Sequence, residues 1–297
     1  MRWDESHESR DVVDRRGERS GPGLSGLIGL LPFLTRSPLG WVVLLIVGGY
    51  YLFHAMGGGG SASETQAPSR VAPEQHEVTE TTGEPRTDEQ RKHFVAFVLD
   101  DVQSTWTRLL GNSPPYRHAK LVLFTNATET GCGYGRTATG PFYCPADERA
   151  YIDLAFYREL ENRLGAKGDF AQAYVLAHEI GHHVQKILGI TSRYSGTRGP
   201  QEGESGNSVR MELQADCFAG IWAHSTAQRN LLENGDLDEA LNAAAAVGDD
   251  RLQRQATGTV RPETWTHGSS QERALWFRRG FDSGDIKSCD TFAARQH

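Results

Sequence analysis

His178, Glu179 and His182 form the pattern H-E-x-x-H in a segment whose apolar residues recur at helical spacing. Side chains four positions apart lie one above the other on a helix face, so both imidazoles can bind one metal ion. Tetrahedral zinc accepts imidazole nitrogen as a ligand. Glu179 projects about 100° around the helix from His178, so it can approach a zinc-bound water without binding the ion. The pattern therefore predicts a Zn2+ site in which Glu179 is the general base.

The helix that carries this pattern is predicted over residues 169–188. The alternative interpretation is an ordinary helix with two surface histidines. However, an apolar stripe borders the histidine row, which places the histidines beside a core face and favours the metal site. The stripe consists of Phe170, Tyr174, Ala177, Gly181, Val184 and Leu188.

A catalytic zinc ion needs a third protein ligand. The metzincin pattern, with a third histidine further along the same segment, is excluded because positions 185 and 188 are Gln185 and Leu188. His183 cannot serve, because it points away from the row of the other two histidines. The third ligand must therefore come from another element.

Glu212 lies near the start of a later predicted helix, and Asp216 follows one turn on along the same face. We predict that Glu212 is the third ligand, as in zinc sites that use a glutamate from a second helix. Asp216 would accept the remaining N–H of His178 and fix the orientation of that ring. The alternative for both carboxylates is a solvated helix face.

The rest of the sequence predicts a mainly α fold with a small β-sheet, that is, an α+β domain. Residues 131–140 are expected to form a glycine-rich loop, and residues 191–206 a polar surface loop. The predicted helices cover 87–111, 155–164, 208–233, 236–247 and 269–279, and the predicted strands cover 120–125, 142–144 and 150–154.

The chain has 297 residues and a formal net charge of -7, which argues against nucleic acid as a partner. Residues 39–56 are apolar and long enough to cross a hydrocarbon core of about 30 Å, so residues 37–56 are predicted to be a single transmembrane helix. A cleaved signal peptide fits poorly, because no A-x-A site follows the apolar run. Six arginines precede the run and one follows closely, which predicts a cytoplasmic N-terminus.

These features divide the chain into four parts. Residues 1–36 are predicted to be a disordered cytoplasmic segment because their charges are mixed, and residues 57–86 to be a flexible linker. Residues 87–297 would form the zinc-binding domain on the extracytoplasmic side of the inner membrane. The four cysteines fit an exported domain with the pairs Cys132–Cys144 and Cys217–Cys289; four free thiols are the alternative.

The segment HEIGHH followed by ELQADCFAG resembles the gluzincin metallopeptidases and, more closely, the bacterial membrane-anchored neutral zinc metallopeptidases. The segments MRW, TATGPFYCPAD, THGSSQERALWF and GFDSGDIKSCDTF extend the likeness over nearly the whole chain. The resemblance implies a membrane-tethered, zincin-like peptidase domain that acts on peptide or protein substrates. It gives His178, His182 and Glu212 as metal ligands, Glu179 as the base and Asp216 as the carboxylate behind the ligands.

The resemblance also suggests roles for residues outside the two helices. His267 is similar in place to a histidine that, in gluzincins, stabilises the tetrahedral oxyanion; the alternative is a histidine at the start of a helix that is satisfied by water. Arg273 is interpreted as a structural ion-pair partner. Residues 140–143 are similar in place to the edge strand of gluzincins, where a peptide could add as an extra strand.

The function predicted from these features is a zinc-dependent metalloendopeptidase. A membrane-tethered, non-catalytic zinc protein that binds or scaffolds partners is the main alternative. A zinc hydrolase for non-peptide amides is a third interpretation, but the sequence shows no aromatic-rich groove for glycans.

Overall fold

Short strands and longer helices alternate along the part of the chain that the computed structural model describes, which is residues 1–18, 87–194 and 200–293. The strands are β1 (Val12–Asp14), β2 (Lys120–Phe124), β3 (Ala127–Thr130), β4 (Gly133–Arg136), β5 (Phe142–Cys144) and β6 (Arg149–Asp153). The helices are α1 (Asp88–Leu110), α2 (Ala155–Asn162), α3 (Asp169–Ile187), α4 (Ile190–Tyr194), α5 (Asn207–Gln228), α6 (Asp236–Ala246), α7 (Asp249–Thr257) and α8 (Ser270–Ser283). The prediction of a mainly α fold with small sheets is confirmed.

Four strands form a mixed sheet in the order β1-β2-β6-β5. Strands β1, β2 and β6 are parallel, whereas β5 runs antiparallel to β6 and lies at the edge of the sheet. Strands β3 and β4 form a separate antiparallel hairpin, whose turn and second strand lie in the stretch 131–140 that was predicted to be a glycine-rich loop. Gly135 in this hairpin faces the Phe142 ring so closely that an added Cβ would lie 2.4 Å from it. Gly135 therefore permits the β3–β4 hairpin to pack against the edge strand β5.

The N-terminal residues 1–18 belong to the folded unit, so the prediction that residues 1–36 are disordered is wrong for this part. Val12 and Val13 of β1 lie opposite Leu121 and Val122 of β2. Trp3 packs edge-on against Phe94 of α1, with ring centroids 5.2 Å apart.

Several charges in this segment are paired, which is why its polarity misled the prediction. Asp11 is buried and accepts hydrogen bonds from Gln103 and Lys120, at 3.1 Å and 2.7 Å. Arg16 binds Asp14 and Glu89 of α1. Mixed charge therefore indicates a packed, ion-paired segment here.

The predicted transmembrane helix over residues 37–56 and the predicted linker over residues 57–86 lie outside the described residues. Within the described ranges, no helix combines the length and the apolar character that crossing a bilayer requires.

Helices α1, α3 and α5 share the hydrophobic core. Phe170 of α3 stacks on Trp222 of α5 at 5.4 Å, and Phe218 of α5 meets Trp106 of α1 edge-on at 5.2 Å. Helix α1 begins with the capping box predicted for Thr87 and Gln90. Two helices were missed: α4, in the segment predicted to be a surface loop, and α7.

Helices α5 and α8 cross in close contact at two glycines. A Cβ added at Gly220 would lie 2.0 Å from the carbonyl oxygen of Phe277, and one added at Gly280 would lie 1.9 Å from that of Cys217. The backbones can approach this closely only because neither position carries a side chain.

Both predicted disulfides are confirmed. Cys132, in the turn of the β3–β4 hairpin, is bonded to Cys144 at the end of β5. Cys217 in the middle of α5 is bonded to Cys289 in the C-terminal 3-10 turn. The first bond fastens the hairpin to the edge strand, and the second fastens the C-terminal segment to α5.

Candidate metal centre

Helix α3 runs through the core and carries His178, Glu179 and His182. It contacts α5 at Gly181, where an added Cβ would lie 3.0 Å from the carbonyl oxygen of Ala215. This close approach brings the first turns of α5 next to the histidine face. Glu212 of α5 therefore lies opposite both imidazoles.

The ligand atoms of His178, His182 and Glu212 all lie within 4.8 Å of one another. The Nε2 atom of His178 lies 3.1 Å from one Glu212 oxygen, and the Nε2 atom of His182 lies 3.4 Å from the other. Two ligands of a tetrahedral zinc ion, each about 2.1 Å from it, are about 3.4 Å apart. The spacing and the donor set of two imidazole nitrogens and one carboxylate therefore fit a zinc ion.

The His178 ring is held from behind by Asp216. The Nδ1 atom of His178 donates to Asp216 Oδ1 at 2.8 Å, so Nε2 faces Glu212 and is the atom that would bind a metal ion. Asp216 is completely buried. Its carboxylate also accepts hydrogen bonds from Arg273 of α8 and from the Tyr174 hydroxyl. The interpretation of Arg273 as an ion-pair partner is confirmed by this contact.

His182 is held in the same way by a neutral residue. Its Nδ1 atom donates to Gln185 Oε1 at 2.9 Å. The Gln185 Nε2 atom donates to the backbone oxygen of Met211 at 2.7 Å and to Gln214 Oε1 at 3.2 Å. Both imidazoles therefore present Nε2 to the same point, but one is supported by a carboxylate and the other by a carboxamide.

The electrostatics of the cluster favour a cation at its centre. Burial opposes protonation of His178, but Asp216 and Glu212 outweigh it and raise the pKa of this imidazole to about 10. Burial likewise opposes ionisation of Glu212, yet the adjacent His182 and His178 hold its pKa well below the ordinary value. The carboxylates therefore stabilise positive charge at the point where the two Nε2 atoms converge.

Glu179 is buried beside this point, with 7% of its surface exposed. Burial raises the pKa of the Glu179 carboxyl above its ordinary value, although both histidines act in the opposite direction. A carboxyl group whose pKa is raised is suited to accept and return a proton near neutral pH.

A cleft of about 600 Å3 opens above the cluster. It is lined by the segment 137–143, which leads into the edge strand β5, and also by Val247, Leu252 and His267. Among the residues that the structure describes, strand β5 pairs with β6 on one side only.

His183 ties this edge strand to the helix. It is completely buried and lies on the side of α3 away from the other two histidines, as predicted. Its Nδ1 accepts from the Tyr143 hydroxyl at 2.8 Å, and its Nε2 donates to the backbone oxygen of Arg117 at 2.6 Å. Burial lowers the pKa of His183, which keeps the ring neutral and able to accept from Tyr143.

His267 lines the cleft and is half-exposed, with 50% of its side chain accessible. Its backbone N–H donates to Asp249 Oδ2 at 2.6 Å, and its Nδ1 lies 3.3 Å from Asp249 Oδ1. The hydrogen bond to Asp249 raises the pKa of His267. The structure therefore places His267 in the same cleft as the three-ligand cluster, anchored by a carboxylate.

A second group of carboxylates, Asp169, Asp236 and Glu239, lies at the start of α3. The α-amino nitrogen of Met1 is 2.7 Å from Asp169 Oδ1 and 3.3 Å from Asp236 Oδ1. Because a cationic group is already in contact with these oxygens, the candidate metal centre is the histidine-containing cluster.

Sequence reasoning missed two residues of the centre, Gln185 and Tyr174. Gln185 was considered only as a reason to exclude a third histidine, and Tyr174 only as part of the apolar stripe. The available signal was helical spacing, because Gln185 follows His182 by three positions and Tyr174 precedes His178 by four, so each lies next to a histidine on the helix surface.

Comparison with known proteins places the chain in a family. The sequence profile of the family described as "Putative neutral zinc metallopeptidase" matches residues 1–292. A protein of Escherichia coli (strain K12), named "Uncharacterized protein YpfJ", is 46% identical over 297 residues, which cover 98% of this chain and 99% of the relative. A protein of Mycobacterium tuberculosis (strain ATCC 25618 / H37Rv), named "Uncharacterized protein Rv2575", is 46% identical over 206 residues, or 66% of this chain and 68% of the relative. No solved structure matches the chain.

Proposed function

Because the chain belongs to the neutral zinc metallopeptidase family, we propose that it is a zinc-dependent endopeptidase with a zincin-like domain and with Glu179 as general base. The observation that carries this proposal is the convergence of two imidazole nitrogens and the Glu212 carboxylate beside the buried Glu179. Zinc at this site would supply Lewis-acid chemistry, lowering the pKa of a water molecule and polarising a carbonyl group.

Each residue of the site would have a distinct role in peptide hydrolysis. His178, His182 and Glu212 hold the ion, and Asp216 keeps the His178 ring in place. Glu179 takes a proton from the attacking water and returns it to the leaving amine.

His267, which lines the same cleft, donates a hydrogen bond to the oxygen on which negative charge develops. Such a donor is worth roughly 3 kcal/mol of barrier lowering in well-studied sites. The raised pKa of His267 keeps an N–H available for this bond.

The substrate would be a peptide in extended conformation. The unpaired side of β5 offers backbone groups for strand addition, which favours a peptide over other amides because a peptide can pair along its main chain. The apolar side chains of Phe156, Val175 and Leu252, which also line the cleft, would contact substrate side chains.

The test is Glu179→Gln in the full chain, assayed against a mixed peptide library. We expect the variant to bind zinc as the wild type does and to lose peptide hydrolysis by at least about 100-fold, since general acid–base catalysis contributes about 10²–10⁴-fold. Glu129→Gln, which changes an exposed carboxylate of β3, is the matched control. Hydrolysis that survives in Glu179→Gln would refute the mechanism.

A further inference from the structure

Gln185 is completely buried directly behind His182. Both hydrogen atoms of its carboxamide have acceptors, namely the Met211 backbone oxygen and Gln214 Oε1. The amide therefore cannot rotate to present its nitrogen to the imidazole without losing two hydrogen bonds. Its Oε1 atom must face the ring, and this requires the proton of His182 to be on Nδ1.

We propose that Gln185 is a positioning residue that fixes the tautomer and the orientation of His182 for metal binding. The inference rests on the proposed zinc site and deepens it. With the proton held on Nδ1, the Nε2 lone pair of His182 faces Glu212 and the centre of the cluster. Gln185 thus does for His182 what Asp216 does for His178.

Gln185 is itself held by a second buried glutamine, Gln214. Gln214, 5% exposed, accepts from Gln185 and donates from Nε2 to the backbone oxygen of Cys289 at 2.9 Å. Cys289 is in turn bonded to Cys217. A row of two neutral amides thereby connects His182 to the segment that the disulfide holds against α5.

An uncharged side chain is favoured at position 185, behind His182. Glu179, Glu212 and Asp216 already place three carboxyl groups around the two histidines, and all three are largely buried. A carboxylate in place of Gln185 would add a further buried negative charge, which costs free energy unless it is paired. The carboxamide orients the ring without that charge.

The experiment measures the zinc dissociation constant of the purified full chain by competition with a chromophoric chelator. We expect Gln185→Leu to bind zinc about 10–100-fold more weakly than the wild type, the usual cost of losing a group behind a ligand. Gln185→Glu keeps an oxygen acceptor and is expected to bind zinc more tightly than Gln185→Leu. Gln103→Leu, which removes a buried amide of α1 that binds Asp11, is the matched control and should leave the constant unchanged.

A dissociation constant for Gln185→Leu within about threefold of the wild type would overturn the proposal, because losing a group that orients a metal ligand weakens binding by at least about tenfold. Equal weakening in Gln185→Leu and Gln185→Glu would also overturn it, because packing alone would then explain the loss. If Gln185→Leu does not fold, Gln214→Leu tests the same support, and unchanged zinc binding in that variant overturns it.

The readout separates this inference from the proposed activity. Wild-type protein that binds zinc but cleaves no peptide would refute the peptidase function and leave the role of Gln185 in place. Wild-type protein that binds no zinc would overturn both.

A second inference rests on the N-terminal strand. Backbone hydrogen bonds join the segments on either side of residues 19–86, among them Leu121 N–H to the Asp11 oxygen at 2.9 Å and Arg15 N–H to the Leu123 oxygen at 2.7 Å. Such bonds cannot form across a hydrocarbon core of about 30 Å. We infer that residues 1–18 and 87–293 lie on the same side of any membrane to which the protein attaches.

This inference conflicts with the sequence prediction of one crossing between a cytoplasmic N-terminus and an external domain. That prediction counted the arginines of residues 1–36 as free cytoplasmic charges, whereas Arg16 is bound to Asp14 and Glu89 within the folded unit. A single crossing over residues 37–56 would separate β1 from β2. The two disulfides further favour an oxidising compartment for both segments.

The test labels single cysteines introduced into the full chain, Glu5→Cys and Leu275→Cys, with a membrane-impermeant maleimide on spheroplasts. Both positions are exposed, and the four native cysteines are held in disulfides. We expect the two sites to behave alike, both labelled before permeabilisation or both only after it. Labelling of one site and protection of the other would overturn the inference.

Discussion

Arg273 forms a two-pronged ion pair with Asp216, from Nε to Oδ2 at 2.8 Å and from a terminal nitrogen to Oδ1 at 2.9 Å. Both residues are buried, and the same carboxylate accepts from His178. Burial opposes ionisation of Asp216, but Arg273 and His178 outweigh it and lower the pKa of the carboxyl. The guanidinium therefore keeps Asp216 anionic behind the imidazole.

Arg273→Met should destabilise the protein strongly, because it leaves a buried carboxylate without its cation. We expect the free energy of unfolding to fall by about 3–5 kcal/mol, as is usual when one partner of a buried pair is removed. Denaturant unfolding of the metal-free protein measures this. Arg278→Met, which removes an exposed pair with Asp282 on the same helix, is the control and should cost less than about 1 kcal/mol. Similar losses of unfolding free energy in the two variants would show that the buried ion pair of Arg273 with Asp216 is not a major source of stability.

Tyr143→Phe should weaken substrate binding more than the chemical step. The change removes the hydroxyl that donates to His183 and so loosens the edge strand from α3. Losing a hydrogen bond that contributes about 0.5–1.5 kcal/mol should raise KM by about 2–10-fold and change kcat little. Steady-state kinetics on a cleaved peptide would measure this, with Tyr134→Phe in the hairpin as control. A fall in kcat at constant KM would count against a positioning role.

The two disulfides should have different functional effects when replaced by alanine pairs. Cys217 and Cys289 are 72 residues apart, so removing their bond should lower the free energy of unfolding by about 4 kcal/mol and weaken zinc binding through Gln214. Cys132 and Cys144 are 12 residues apart, and removing their bond should cost about 3 kcal/mol and raise KM through β5. Chemical denaturation, chelator competition and peptide kinetics would distinguish the two. If both variants changed zinc binding and KM in the same way, the separate roles assigned to the two disulfides would be wrong.

The carboxylates at the start of α3 should make stability depend on pH. Burial, with Asp169 and Asp236 nearby, raises the pKa of Glu239 to about 7, although its bond with the Phe170 N–H acts in the opposite direction. The folded state therefore holds a proton that the unfolded state releases between about pH 4.5 and 7, so stability falls as the pH rises through this window.

Glu239→Gln keeps an oxygen acceptor for Phe170 and removes the titration. The thermal midpoint of this variant should therefore vary less between pH 5 and 8 than that of the wild type. Asp169, whose pKa burial raises to about 6, would contribute to the slope that remains. An identical pH dependence in variant and wild type would show that Glu239 does not titrate as described.

Most of the helical framework could be predicted because its signals are local. The capping residues Thr87 and Ser269 and the apolar periodicity of α3 each depend on a few neighbouring positions. The proximity of Glu212 to the histidines was anticipated from zinc coordination rather than from helix packing. What the sequence did not reveal was Gly181 as the point where the two helices touch.

The remaining features depend on contacts between distant parts of the chain. Strand β1 has its pairing partner more than a hundred positions away. The charge of Asp11 beside it resembles that of a solvated segment until its partner, Lys120, is known. The β3–β4 hairpin was hidden because its glycines suggest a loop, although Gly135 is where the Phe142 ring packs. Gln185 carries no signal of its own, since an isolated glutamine is compatible with any helix surface.

The crossing of α5 and α8 at Gly220 and Gly280 has a consequence for how the protein tolerates change. A methyl group at either glycine would have to push α8 outward, and Arg273 would move with it. The two glycines bear no reactive group, yet they determine whether the guanidinium of Arg273 reaches the carboxylate of Asp216. Substitutions that abolish the proposed activity are therefore expected at these two glycines as well as among the polar residues of the site.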